Sequence, residues 1–311
     1  MEPSRAPSRA RRRRVPSLYL ALAAVTVVGG TAAGTVYVQE RDAPLASVSS
    51  SSSPVVVAAS EEASVEPVTL PTVDPEERLA EAMESVRVAD GARVSVAVLD
   101  VGSGASAAYG EASFVTASIV KVDVLAALLL RAQDEGRALT SAEKAYATAM
   151  IERSDNDSAS ALWETVGRAE GLAAANERLG LTDTEGGDGM LWGLTRTTAA
   201  DQLRLLGQVF GAESELSAAS RAYLQGLMGK VVEDQRWGVS TVADGSACAL
   251  KNGWLPRSTT GLWVINSVGR VTVDGREFLV AALSDGNATK EDGVALVEAA
   301  AKAAVSVFAR E

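Results

Sequence analysis

Apolar and polar positions alternate through "ARVSVAVLD" (92–100), the period of two expected of a strand with one face in a core. "GSG" at 102–104 turns the chain toward a second strand near Tyr109. From Ser118 to about Gln225 the spacing becomes helical. Strand character returns in "ACALKNGW" (247–254), "TGLWVINSVG" (260–269) and "EFLVAALSD" (277–285), with Asp274-Gly275 as the hairpin turn between the last two. Helices are expected at both ends of this body. One runs from Pro75 to about Val86 with Asp74 as its N-cap, and the other covers "EDGVALVEAAAKAAVSVFAR" (291–310). Two strands, a helical middle, three strands and a final helix imply one α+β sheet assembled from both ends of the chain, with a helical domain inserted.

Ahead of the body the pattern is different. No charge occurs from Val15 to Gln39, long enough for a bilayer that needs about 20 apolar residues. The arginines of residues 1–14 place that end in the cytoplasm as a basic stub. Residues 15–39 are therefore expected to be a single-pass anchor with the body outside the cytoplasm. The alternative is secretion after signal cleavage at the small residues Gly30-Thr31-Ala32. No cysteine lies in the span or directly after it, which excludes a lipoprotein. Residues 40–73, with "ASVSSSSSPVVVAASEEASVEPVTLPTV", lack any period and read as a flexible Ser/Pro linker to a body at 74–311.

Composition narrows the chemistry. The 311 residues contain no histidine, so a Ser-His-Asp triad, a His-ligated zinc and a histidine base are excluded. Cys248 is the single cysteine, so neither an intrachain disulfide nor a thiolate metal cluster can form. Beyond Asp42 there are 22 basic and 37 acidic residues, an acidic body that repels nucleic acid. A serine nucleophile in this chain must be deprotonated by a lysine or a carboxylate.

"TASIVKVDVL" (116–125) supplies such a pair. Ser118 and Lys121 stand i and i+3 in an almost wholly apolar run, which puts hydroxyl and ammonium on one face of a buried helix, with Thr116 as its expected N-cap. A second Ser-x-x-Lys match, Ser141 to Lys144, has a plain structural reading, because Thr140 and Glu143 form a capping box there. Two further motifs follow Ser118. Ser154-Asp155-Asn156 ends the helix "SAEKAYATAMIER", and Lys251-Asn252-Gly253 lies on a predicted strand.

Ser-x-x-Lys, Ser-Asp-Asn and a Lys-Thr-Gly-like triplet, in that order and on those elements, resemble the set carried by class A β-lactamases and penicillin-binding proteins. Over roughly 74–311 the chain thus resembles that superfamily, and more narrowly its class A-like serine hydrolases. The resemblance implies the β-lactamase/DD-peptidase-like fold: an antiparallel sheet of about five strands flanked by N- and C-terminal helices, with an inserted all-helical domain. It implies an acyl-enzyme on Ser118, with Lys121 as base or proton relay. Ser154 would pass a proton to the leaving nitrogen, and Asn156 would hold Lys121 and the substrate amide. Lys251, Asn252 and Gly253 would serve the substrate carboxylate and the strand-side groove. The backbone N–H groups of Ser118 and Leu255 would form the oxyanion hole. Asp155 would only order its loop. Substrates would be β-lactams or D-alanyl peptides, without metal or cofactor, and the protein would act as a monomer.

Three departures bear on turnover. The stretch from Ser118 to Ser154 is short for the family, and the third motif has Asn252 where Thr or Ser is usual. The family's Glu-x-x-Leu-Asn segment, whose glutamate activates the deacylating water, is missing from "LGLTDTEGGDGMLWGLTRTTAADQLRLL". Asp183, Glu185 and Asp188 are the carboxylates nearby, with Glu185 and Asp188 the candidates for a replacement deacylation base, in a glycine-rich setting where such residues usually form turns. The expectation is an extracytoplasmic serine hydrolase with slow deacylation. The alternatives are a DD-peptidase of peptidoglycan stem peptides, or a non-catalytic binding or sensor domain.

Overall fold

The computed structural model describes residues 74–245 and 248–308. The basic stub, the anchor or signal segment and the linker expected over 1–73 lie outside the described residues. Among the described residues, no helix is long and apolar enough to cross a membrane.

Helix α1 (Pro75–Glu84) starts where Asp74 accepts a hydrogen bond from the Glu76 N–H and proline occupies the first turn. Strands β1 (Arg93–Asp100) and β2 (Ser106–Tyr109) follow as a hairpin. After the short β3 (Phe114–Val115) come α2 (Val120–Asp134), α3 (Ser141–Glu152), α4 (Asn156–Val166) and α5 (Arg168–Leu179). The chain then passes through β4 (Arg196–Thr197), α6 (Ala199–Phe210) and α7 (Ala218–Met228). It returns to the sheet as β5 (Ala249–Pro256), β6 (Trp263–Val273) and β7 (Arg276–Asn287) before α8 (Lys290–Ser306).

The five-stranded sheet is antiparallel throughout, in the order β2-β1-β7-β6-β5. Strands from both ends of the chain therefore meet at the β1–β7 pair, and β5 is left as an edge. Asp274 and Gly275 take φ values of 50° and 73°, the double positive φ of the tight turn that suits strand twist. Alternate residues separate two cores. Val96, Val98, Val280 and Ala282 pack with Leu79 of α1 and with Val297, Ala300 and Ala304 of α8. Ala97, Ala281 and Leu283 face the helical domain, whose centre is α2. From Val120 to Leu130 every residue of α2 is buried, as an almost uniformly apolar helix requires.

Two features of the approach to α2 differ from the sequence reading. A two-residue ladder, Phe114↔Thr197 and Val115↔Arg196, joins β3 to β4, and such short strands leave no periodicity to read. Thr116 does not cap a helix. Its backbone is already helical (φ −69°, ψ −31°), its hydroxyl is buried without a partner, and Ala117–Ile119 form a 3₁₀ turn ahead of α2. Capping needs an extended residue whose side chain folds back onto the next turn, and the left-handed step at Ala117 (φ 47°) replaces that geometry.

Candidate active site

Ser118 lies in that 3₁₀ turn, half-buried, directly after the left-handed Ala117. A non-glycine residue in this conformation costs about 1–3 kcal/mol and persists only where its surroundings over-determine it. Here they do. The Thr116 N–H donates to Thr195 O at 2.8 Å, and the fully buried Asn266 of β6 donates through Nδ2 to Val115 O and Thr116 O, both at 2.9 Å. On the third side β5 presses against the turn at Gly253. A Cβ there would stand 2.7 Å from Thr116 O, 2.9 Å from Ser118 N and 3.0 Å from Ile119 N. Only glycine allows the strand to lie this close to the serine.

Lys121 is fully buried one turn further along. Its Nζ donates to Ser154 O at 2.7 Å, Asn156 Oδ1 at 2.8 Å and Ser154 Oγ at 3.1 Å. Those bonds cross to the loop between α3 and α4, and the Ser118 hydroxyl is not among the partners. Burial lowers the Lys121 pKa to about 7, with the Asp155 carboxylate acting in the opposite sense. An amine in that range is substantially neutral at physiological pH, as a base toward a serine hydroxyl must be. Ser154 itself has φ 58° and places its Oγ between two lysines. Lys251, also fully buried, donates to that Oγ at 3.0 Å and to Asn252 O at 2.9 Å. Burial first, and the neighbouring Lys121 second, hold Lys251 well below its ordinary pKa. Asp155 caps α4 by accepting from the Ser158 N–H at 2.8 Å, so its part is to set the loop and with it Asn156.

The structure therefore brings Ser118, Lys121, Ser154, Asn156, Lys251 and Gly253 into one region. Leu255 lies two residues along the edge strand β5, half-buried and opposite Val264. The Arg257 N–H donates to Leu262 O at 2.8 Å, and the alternation this bond sets turns the Leu255 N–H onto β6, so Leu255 is not the oxyanion donor expected from the sequence. The N–H of its neighbour Trp254 faces away from β6 instead. Asn252 is turned elsewhere, contrary to the expectation that its amide serves a substrate carboxylate. Its Nδ2 donates to Gln235 O at 2.8 Å and Trp237 O at 2.9 Å, so both N–H groups are taken and the side chain is fully buried. The residue ties the 233–242 segment to β5. Ser141 and Lys144 are exposed on α3 behind the Thr140–Glu143 capping box.

None of the loop carboxylates hydrogen-bonds to the serine–lysine set. Glu185 pairs through its backbone with Arg196 and lines, with Asp183, a cavity of about 670 Å³ beside Ala108, Gly110 and Arg204. None of those residues belongs to the serine–lysine set. Asp188 is exposed, and its backbone carbonyl accepts from the Leu191 N–H at 2.9 Å. What the glycine-rich segment sends to the site is Trp192, whose ring centroid lies 4.9 Å from Lys121 Nζ. Trp192 and Asn266 escape sequence reasoning. The only signal for Asn266 is an amide inside an apolar strand, and a tryptophan among turn residues gives none.

Comparison with known proteins agrees with this geometry. Residues 140–308 match the model of the beta-lactamase enzyme family, a stretch that includes Ser154, Asn156, Lys251 and Gly253, with Ser118 and Lys121 just ahead of it. The TLA-1 extended-spectrum β-lactamase superposes with a TM-score of 0.65 at 18% identity, over 76% of this chain and 98% of that one. A class A β-lactamase from Bacteroides cellulosilyticus gives 0.64 at 18%, over 76% and 99%. PBP-A gives 0.64 at 20%, over 75% and 96%, and a variant of it is known as an acyl-enzyme complex with penicillin G. No curated protein sequence matches the chain. With the fold of those β-lactamases around its serine–lysine site, the chain belongs to the beta-lactamase enzyme family.

Proposed function

We propose that the chain is a serine hydrolase that is acylated on Ser118 by β-lactams and releases the acyl group slowly. The observation that carries this reading is the chain of hydrogen bonds from Lys121 through Ser154 Oγ to Lys251, set beside the Ser118 turn. Neutral Lys121 takes the Ser118 proton as Oγ attacks the lactam carbonyl carbon. The carbonyl oxygen gains negative charge and is held by the Ser118 N–H and, from the edge strand, by the N–H of Trp254, which faces away from β6. On collapse the C–N bond breaks, Ser154 gives its proton to the leaving nitrogen, and a lysine proton replaces it. Lys251 attracts the substrate carboxylate without help from Asn252.

Hydrolysis of the ester needs a second base beside a water. Among the described residues, no carboxylate hydrogen-bonds to Lys121, and Glu185 lines a different cavity. General-base help is worth about 10²–10⁴-fold, so the acyl-enzyme should outlive its formation. A burst experiment with a chromogenic cephalosporin tests this. A stoichiometric burst and a slow steady phase, unchanged in Glu185→Gln and Asp188→Asn, are expected, and fast turnover without a burst would refute slow release. The missing base also favours a second reading, a D-alanyl peptidase trapped by β-lactams, for which D-alanine release from a D-alanyl-D-alanine peptide is the assay. The uncharged 15–39 stretch behind a basic terminus supports a body outside the cytoplasm. A reporter after Glu311 that is active only in the cytoplasm would sink that placement.

A further inference from the structure

We propose that Trp192 is a positioning residue that acts through Lys121: its indole face lies against the ammonium and favours the charged form of the base. The inference rests on the reading of Lys121 as the base for Ser118. The ring centroid stands 4.9 Å from Nζ, within the roughly 6 Å over which an aromatic face attracts a cation.

The placement is built from several sides. The Trp192 Nε1–H donates to Ser160 Oγ at 3.1 Å. Ser160 follows Asn156 by four residues on α4, so one helix face presents the amide that binds Lys121 and the hydroxyl that holds its aromatic neighbour. The loop that delivers the indole is fastened too. The buried Trp163 donates from Nε1 to Gly189 O at 2.8 Å, and the Gly187 N–H donates to Thr195 Oγ1 at 3.1 Å. A Cβ on Gly187 would stand 2.1 Å from Leu191 O, so this fold-back requires glycine. The glycines that make the segment look like a passive turn are what bring Trp192 to the lysine.

Other charges around Lys121 set the background. Asp155, at the amino end of α4, favours the ammonium, and Lys251, which shares Ser154 Oγ from β5, is itself held down by burial and by Lys121. Asp123, two residues further on α2, turns to Gln202 instead. Burial depresses the lysine, and the indole face works against that depression. Removing the π face while keeping the bulk should therefore lower the pKa further, raising the neutral fraction at acid pH and moving the acid limb of acylation downward. A residue that only fills space would give no such shift.

The test uses the full chain with ¹³C at lysine Cε. Its six lysines leave few resonances, and that of Lys121 is identified by its loss in Lys121→Arg. Trp192→Leu should move the Lys121 midpoint down by about half to one and a half pH units, and the acid limb of reporter-penicillin labelling with it. Trp192→Phe, which keeps a weaker π face, should move it less. Should the leucine variant fold poorly, Ser160→Ala, which only unhooks the indole N–H, should shift the midpoint the same way by a smaller amount. An unmoved or raised midpoint in Trp192→Leu overturns the proposal. A lowered midpoint in a protein that penicillin never labels upholds the Trp192–Lys121 coupling and overturns the acylation reading alone.

Discussion

Asp123→Asn should flatten the pH dependence of stability on the acid side of pH 8. Asp123 is fully buried on α2, and its one hydrogen bond, from Gln202 Nε2 to Oδ2, is long at 3.4 Å. Asp123 Oδ1 and Gln202 Oε1 are both buried without a donor. Burial, reinforced by the charge of Asp201 and opposed by the Gln202 bond, raises the Asp123 pKa to about 8. The unfolded chain should titrate near the ordinary aspartate value of about 3.9. Between those values the unfolded chain has released a proton that the folded protein keeps, so stability falls as pH rises from about 4 to about 8 and is level above. Four units at about 1.4 kcal/mol each set a ceiling of about 6 kcal/mol, and relaxation around a buried charge brings the expected effect to a few kcal/mol. Lys121 works the other way in a neighbouring window. Its pKa is down to about 7, so stability rises between there and the ordinary lysine value of about 10.4. Both proteins share that contribution, and it cancels in their difference. Urea midpoints of the full chain and Asp123→Asn, measured from about pH 5 to about pH 9, should show the variant gaining on the parent up to about pH 8. A difference that stays constant over the range would refute a protonated Asp123.

Gly253→Ala should fold with a loss of about 1–3 kcal/mol, the usual cost of overpacking. Its methyl would displace the Ser118 N–H, so the acylation rate should fall by about 10²–10³-fold; a rate within a few-fold of the parent would show that β5 has room there. Asn252→Ala leaves the Gln235 and Trp237 carbonyls without their donors, which should cost about 2–4 kcal/mol in urea unfolding with little change in the labelling rate of folded protein. Lost labelling at unchanged stability would return Asn252 to the substrate.

Much of this fold is written locally. Asp74 before Pro75 starts α1, Asp274-Gly275 closes the β6–β7 hairpin, and the alternation of β1 marks the two faces of the sheet. Such features depend on neighbours in sequence, so they can be read from it. The serine–lysine spacing, from the 3₁₀ turn into α2, is of the same kind. What could not be read depends on distant contacts. The Ala117 turn exists because Asn266, Thr195 and Gly253 converge on it from elsewhere in the chain. Asn252 looks like a motif residue, yet the carbonyls of the 233–242 segment claim its amide. The carboxylates of the glycine-rich loop look available, yet the loop folds so that an indole meets Lys121.

The central claim is that Ser118 is the acylated nucleophile, and peptide mapping by mass spectrometry of the full chain after brief exposure to penicillin G tests it most directly. One penicilloyl group should appear per chain, on the peptide that contains Ser118. It should be absent from Ser118→Ala, retained in Ser141→Ala, and persist after excess drug is removed. A penicilloyl group that still forms on Ser118→Ala, or no adduct on the parent protein at any time, would contradict the account.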